Sequence, residues 1–299
     1  MRAIQFSEYG GPDVLILTTR AQEPTAGPGH VRIRVEAAAV NPFDFKQRAG
    51  MMADGKRLNG SVTPGLEAAG VVDQVGEGVT GVAVGDAVFG LGRATYAEYA
   101  VLHAWAPKPE SLSFAEAAGL GVAGETGQRV LDLLALEPGQ VLLVHGAAGG
   151  VGQGIVQLGV AAGQRVIGTA SEANHELMRD LGAEPVTYGE GLVSRVDALS
   201  EDVAGIADAA GTQLAELLEI AGTPDHIVTI ANYGARDSGV RFSGGGGDAM
   251  GALAHVAELA ADERYRVRVA ETFDLTKASA AHRLSESRKA NGKLVLLVS

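Results

Sequence analysis

Val141-Leu142-Leu143-Val144-His145-Gly146-Ala147-Ala148-Gly149-Gly150-Val151-Gly152 is an apolar strand that runs into a glycine turn and the start of a helix. Small residues at such a turn let the backbone approach a pyrophosphate, and the helix N-terminus stabilises its negative charge. Ala147 stands where the first glycine of G-x-G-x-x-G usually falls, so the pattern is A-x-G-x-x-G preceded by Gly146. A strand before the turn and a helix after it are the context in which this pattern means dinucleotide binding. The candidate cofactor residues here are Gly146, Ala147, Ala148, Gly149, Gly150, Val151 and Gly152. A tight strand-to-helix turn without a ligand is the competing reading.

Outward from this turn, strands alternate with helices. Strands are expected at 165–170, 185–188, 204–209 and 226–231, with helices at 151–162, 174–181, 192–199 and 213–221. Such alternation implies a doubly wound parallel sheet with crossover helices, an α/β fold. Residues up to about 120 read differently. Val31-Arg32-Ile33-Arg34-Val35 alternates apolar and charged residues, and Gly70–Val88 is a Val/Gly run with frequent turn signals. These patterns predict short antiparallel strands in a small barrel or sandwich. Ser113 and Glu116 have capping-box spacing and open a helical region, with a longer helix from about Thr126 to Leu136. After Ser243–Gly247, an exposed glycine loop, come a helix (248–262), a strand (266–270), a helix (276–290) and a closing strand, Lys293–Val298. This last part reads like the first, so the expected domains are 1–122 with 265–299, and 123–264.

Composition narrows the function. The chain has 299 residues, 46% hydrophobic and 20% charged, enough for two domains with ordinary cores. There is no cysteine, which excludes disulfides, zinc–thiolate sites and a cysteine nucleophile. A net charge of −12 with no basic run argues against a nucleic-acid partner. No apolar run reaches membrane-spanning length and no secretory signal opens the chain, so a cytoplasmic protein without a membrane partner is expected. The seven histidines show no metal-ligand spacing, and no G-x-S-x-G elbow supports serine catalysis.

The end of the second strand of the dinucleotide fold selects the cofactor. An acid there holds the ribose hydroxyls in NAD-binding folds, but the position is Ala170. Ser171, Asn174 and His175, with Arg179 one turn on, suit a 2′-phosphate, while Glu172 opposes it. NADP(H) is the expected cofactor.

With these features in place, the chain resembles the medium-chain dehydrogenase/reductase superfamily, and within it the zinc-independent quinone oxidoreductase and enone reductase branch. The resemblance rests on Gly10–Leu15, Val40–Asp44, Pro64–Gly70, Tyr96–Ala100, the glycine turn, Leu181-Gly182-Ala183 and Gly292–Val295. It implies a GroES-like β-barrel domain, a Rossmann domain and an active site in the cleft between them. It also implies that the metal ligands of the zinc-dependent branch would fall at Asn41, Leu66 and Val122, none of them Cys or His, so no zinc is expected. Asp44 and Glu67 keep the acidic positions that flank that metal, and are read as structural.

By the same resemblance, Thr126 lies near the nicotinamide ring and Tyr188 near the adenosine phosphate. Ala210, Gly211, Ile230, Ala231 and Asn232 line the nicotinamide pocket. Asn41 is placed to meet the substrate oxygen, and Lys46 is a longer-range candidate. Departures from the pattern are Phe45-Lys46-Gln47-Arg48 where many relatives carry a Tyr, Glu125 beside Thr126, and Ala173 in place of a basic residue. The implied activity is NADPH-dependent hydride transfer to quinones or α,β-unsaturated carbonyls, by a homodimer. The alternatives are an enoyl-type reductase of a lipid or polyketide pathway, and an NADPH-binding sensor or structural protein with little turnover.

Overall fold

The structure, a computed structural model, describes residues 1–200 and 202–298. In chain order the elements are β1 (Ala3–Gln5), β2 (Ile16–Thr18), β3 (Val31–Val40), α1 (Pro42–Arg48), β4 (Glu67–Val75), β5 (Ala87–Arg93) and β6 (Tyr99–Pro107). Then come α2 (Phe114–Ala118), α3 (Leu120–Leu134), β7 (Val141–His145), α4 (Gly150–Ala161), β8 (Arg165–Ala170), α5 (His175–Asp180), β9 (Glu184–Thr187) and α6 (Leu192–Asp197). The remainder are β10 (Gly205–Asp208), α7 (Leu214–Ala221), β11 (Ile227–Thr229), β12 (Arg241–Phe242), α8 (Ala249–Ala261), β13 (Val269–Asp274), α9 (Ala278–Ser287) and β14 (Lys293–Leu297). Contacts divide them into two compact units, residues 1–122 with 253–299, and residues 123–252. The second division falls at 252, inside α8, where the sequence suggested 264.

The first unit is built on β3. Its first half alternates buried Val31, Ile33 and Val35 with more exposed Arg32 and Arg34, as a strand with one wet face must. That half pairs antiparallel with β6, and the second half, Ala37–Val40, pairs antiparallel with β14. A register irregularity between Val35 and Ala37 marks the change of partner, since a bulge bends the strand. Together β3, β4, β5 and β6 form a closed antiparallel ring, to which β14 and β13 add two strands. Ala37, Ala38 and Ala39 are all buried, and their small size lets α2 pack on β3 and β4.

The second unit is a six-stranded parallel sheet in the order β9-β8-β7-β10-β11-β12. Two halves wind outward from β7, the doubly wound order of a Rossmann fold. Leu143, Ile167, Ile206 and Ile227 are fully buried in its core. Both expected architectures, the GroES-like sheet and the Rossmann sheet, are present.

Two local expectations change. The strand expected at 266–270 lies at Val269–Asp274, because it is the half-exposed outer neighbour of β14 and lacks a clean apolar pattern. The region read as wholly strand contains α1. Its start was encoded by Pro42 at the first turn and Asp44 three residues after Asn41, whose carboxylate accepts the Asn41 N–H at 2.8 Å.

Beneath α1 and α9 lies a buried polar group of the first unit. Tyr96 donates to Asp44 Oδ2 at 2.9 Å, and the His282 ring stands edge-on to Tyr96 with centroids 5.8 Å apart. Arg48, 1% exposed, pairs with Glu286. Burial, then the Arg48 charge, pushes His282 down to about 3. Burial pushes the Asp44 carboxyl up to about 7, against the pull of the Asn41 N–H and the Tyr96 hydroxyl.

The two groups act oppositely on stability. Between about pH 3 and 6.5 the unfolded chain holds a proton on His282 that the fold lacks, so this term weakens the fold as pH falls. Between about pH 4 and 7 the fold holds a proton on Asp44 that the unfolded chain lacks, so this term weakens the fold as pH rises. Over their shared window they offset. Replacing His282→Leu should therefore leave stability falling from pH 4 to 7, and Asp44→Asn should leave it falling from pH 6.5 to 4. Each slope should approach about 1.4 kcal/mol per pH unit in urea titrations. Profiles parallel to wild type in both variants would contradict the assignment.

Candidate active site

In the second unit, the turn after β7 closes only with glycine. Gly146 has φ +83°, and a Cβ there would lie 2.9 Å from the Ala210 methyl. A Cβ on Gly152 would lie 2.2 Å from the Gly146 carbonyl oxygen. Gly149 is the N-cap of α4, so the N–H groups of Gly150, Val151 and Gly152 in its first turn have no carbonyl behind them. Ala147 is fully buried and its N–H bonds the Thr169 carbonyl at 3.0 Å, which fixes the turn to β8. The outward N–H groups and the helix dipole fit a pyrophosphate.

The carboxyl ends of β7, β10 and β11 are joined by a polar network that the sequence did not reveal. Asp208 accepts Thr229 Oγ1 at 2.7 Å, and the backbone N–H groups of Ala210 and Gly211 at 3.0 and 2.8 Å. Ile230 bonds back to the Asp208 carbonyl, and the Ala231 and Asn232 N–H groups reach Thr229 Oγ1. One carboxylate thus shapes both loops expected to line the nicotinamide pocket. Thr169 Oγ1 accepts the Gly146 N–H at 2.9 Å and lies 2.9 Å from His145 Nδ1, with His145 Nε2 3.1 Å from Thr212 Oγ1. The two ring nitrogens of His145 are thus each within hydrogen-bond distance of a threonine hydroxyl, which holds the ring in place. Burial holds its pKa below the ordinary histidine value.

Ala170 pairs with Thr187 across β8 and β9, so Ser171 and Tyr188 follow adjacent strand ends. Asn174 Nδ2 donates to Ser171 Oγ at 3.1 Å, and His175 Nε2 lies 3.4 Å from Thr187 Oγ1. Tyr188 is half exposed, and Glu172 and Arg179 are exposed. A residue not weighed from sequence joins them. Arg195 donates to the carbonyls of Thr187, Gly189 and Glu190, and among the described residues it has no carboxylate partner. Thr126, 9% exposed, donates to Glu125 Oε2 at 3.2 Å. Arg129 pairs with Glu125 at 2.7 Å and also bonds Ser243. The unusual Glu125 is therefore neutralised by a partner one helical turn away.

In the first unit, Asn41 is 4% exposed and sits in a triangle of bonds. Lys293 Nζ donates to Asn41 Oδ1 at 2.9 Å and to Glu67 Oε1 at 2.6 Å, and Asn41 Nδ2 donates to Glu67 Oε1 at 2.8 Å. Glu67 Oε2 accepts the Val122 N–H at 2.7 Å in the first turn of α3. Asn41, Glu67 beside Leu66, and Val122 therefore meet at one point. Lys293 was quoted from sequence only as part of a motif; a lysine opening the buried strand KLVLL was the available signal. Lys46 is half-buried on α1 and makes no side-chain bond to this group.

This donor set does not fit a zinc ion. Asn41 offers an amide oxygen already holding an ammonium, and Leu66 and Val122 offer no side-chain ligand. Among the described residues, no group of three or more His, Asp or Glu is placed to hold a metal.

A doubly wound sheet with a glycine turn suited to a pyrophosphate, in a chain that also carries a GroES-like sheet, is the two-domain architecture of the medium-chain dehydrogenase/reductase class. Comparison with known proteins agrees. Residues 27–110 match the alcohol dehydrogenase GroES-like domain, and residues 181–296 match the zinc-binding dehydrogenase family. A rat quinone oxidoreductase is 38% identical over 192 residues, covering 62% of this chain and 58% of the relative, so the match spans little more than half of that protein. A quinone oxidoreductase structure from Coxiella burnetii superposes with TM-score 0.85 and 30% identity, covering 100% of this chain and 99% of the other. A mycobacterial protein solved with NADPH gives TM-score 0.82 at 26% identity, with both chains fully covered. The CurK enoyl reductase gives 0.84 at 26%, covering 100% and 99%. The chain belongs to the medium-chain dehydrogenase/reductase superfamily, and its structural neighbours include quinone oxidoreductases of that superfamily.

Two glycine variants separate turn geometry from ligand contact. Gly152→Val should cost roughly 1–3 kcal/mol of stability and also weaken cofactor binding. Gly149 has an ordinary φ of −72° and open space, with only the Gly146 oxygen 3.4 Å from its would-be Cβ. Gly149→Ala should therefore keep the wild-type Tm while weakening nicotinamide dinucleotide binding at least about tenfold by fluorescence titration. Unchanged affinity in Gly149→Ala would remove the turn from the cofactor site.

Proposed function

We propose that this protein is an NADPH-dependent, zinc-independent oxidoreductase that delivers hydride to quinones or α,β-unsaturated carbonyls. The observation that carries the reading is the Asn41–Lys293–Glu67 triangle: a buried amide donor, backed by an ammonium, at the positions where related enzymes hold a metal. An electron-poor alkene or quinone needs no Lewis acid, only a donor at its oxygen as negative charge develops there. NADPH, when bound, supplies the hydride. Gly146–Gly152 hold its pyrophosphate, and Asp208 and Thr229 hold the loops lining its nicotinamide. Asn41 has a second Nδ2–H for the substrate oxygen. The saturated product takes its remaining proton from solvent.

The 2′-phosphate preference is supported by Ala170, which leaves no acid at the ribose position. Support also comes from Ser171, Asn174 and His175 near the half-exposed Tyr188, and from the carbonyl-bound Arg195 at the same turn. A small-molecule acceptor, a homodimeric state and a cytoplasmic setting belong to the same reading, with the net charge of −12 weighing against nucleic acid. The likeness to an enoyl reductase keeps a second reading, reduction of a carrier-bound enoyl chain, on the same chemistry.

Initial rates with NADPH and NADH, across simple quinones and 2-alkenals, test the proposal. NADPH should be preferred by at least about tenfold in kcat/KM, since charge-assisted bonds to the 2′-phosphate are strong. Chelator treatment should not change the rates. Preference for NADH would overturn the cofactor assignment. Restoration of a lost rate by zinc would overturn the metal-free mechanism, and tight NADPH binding without turnover would favour the binding-protein alternative.

A further inference from the structure

We infer that Lys293 is a positioning residue that locks the Asn41 amide in a single orientation, with one Nδ2–H on Glu67 and the other available to an oxygen acceptor. The two ends of a carboxamide are similar in size, and only their bonding partners distinguish them. Here the partners permit one arrangement. An ammonium has donors and no acceptor, and an ionised carboxylate has acceptors and no donor. With Oδ1 on Lys293 and Nδ2 on Glu67, both contacts are hydrogen bonds, at 2.9 and 2.8 Å. The flipped amide would set N–H groups against the ammonium and an oxygen against the carboxylate, and would offer the acceptor a lone pair.

The lock is internally braced. Lys293 and Glu67 bond each other at 2.6 Å, with side chains 7% and 0% exposed, so neither partner has water as an easy substitute. Glu67 is further held by the first turn of α3 through Val122. The Lys293 N–H bonds the Arg268 carbonyl at 2.8 Å and β14 is paired to β3, so the ammonium is carried on fixed backbone. Its charge on Oδ1 also draws electron density from the amide, which makes the remaining Nδ2–H a stronger donor.

The kinetic arm of the test rests on the proposed hydride transfer; the spectroscopic arm does not. In the 15N-labelled full chain, the Asn41 side-chain amide is assigned by its loss in Asn41→Ser. The proton donated to Glu67 should exchange slowly with solvent in wild type. In Lys293→Met it should exchange at least about tenfold faster, and Lys293→Arg should recover part of the protection. With quinone or enal, kcat in Lys293→Met should fall at least about tenfold while NADPH affinity, measured by binding, stays within about twofold.

If Lys293→Met does not fold because Glu67 is left unpaired, Lys293→Met/Glu67→Gln removes both charges and should give the same pair of changes. An Asn41 amide equally protected without Lys293, or an undiminished kcat in a folded variant, overturns the inference. Absence of any turnover in wild type would instead remove the proposed function, leaving the exchange measurement to decide the role of Lys293.

Discussion

A buried ammonium, the Lys293 Nζ held between Glu67 and Asn41, is the contact on which the first unit depends. Charges removed from water are costly, and a pair is tolerated only when its geometry is good and its remaining hydrogen-bonding capacity is met. Glu67 meets that condition with three donors: the ammonium, the Asn41 amide and the Val122 N–H of α3. Each donor comes from a different element, so satisfying one carboxylate fixes the end of β3, the start of α3 and the start of β14. The chain's closing strand is thereby tied to the beginning of the fold by chemistry as well as by its pairing with β3. Asn41 also begins α1, whose Asp44 reaches back to the Asn41 N–H and receives the Tyr96 hydroxyl. The polar group around Tyr96, His282 and Arg48 extends inward from the same point.

The second unit solves a different problem with the same economy of contacts. Its central strands β7, β8, β10 and β11 are buried on both faces, and the residues proposed to meet the cofactor lie at the carboxyl ends of the parallel strands. There the turn after β7 must pass close to Ala210 and fold back on its own Gly146 carbonyl, which admits no side chain at two positions. Asp208 then organises the loops after β10 and β11, and His145 and Thr169 anchor the turn from beneath. The Glu125–Arg129 pair shows how an unusual residue next to Thr126 is accommodated without a net charge.

What was legible in the sequence was mostly local. The A-x-G-x-x-G turn could be read because its spacing, preceding strand and following helix are contiguous. The parallel sheet followed from alternating strands and helices, and the antiparallel unit from the period of Val31–Val35. Asn41 could be named from its motif, but not its partner, since Lys293 lies 252 residues away and no local pattern connects them. The pairing of β14 on β3 is what brings Lys293 to Asn41, and that pairing is not readable from either motif alone. Arg195 was hidden because its partners are backbone carbonyls, which carry no sequence signature. His282 was hidden because its burial, on the face of α9 against Tyr96, is set by packing rather than by its neighbours in the chain.

Hydride delivery to an activated acceptor without a metal is tested most directly by supplying chelator-treated protein with NADPH deuterated at the reactive C4 position, together with a 2-alkenal, and locating the label in the product. One deuterium is expected on the carbon β to the carbonyl, with the α-carbon proton drawn from solvent, and the same result before and after chelation. Cofactor oxidised with no label in the product, or label transferred only after zinc is added back, would contradict it.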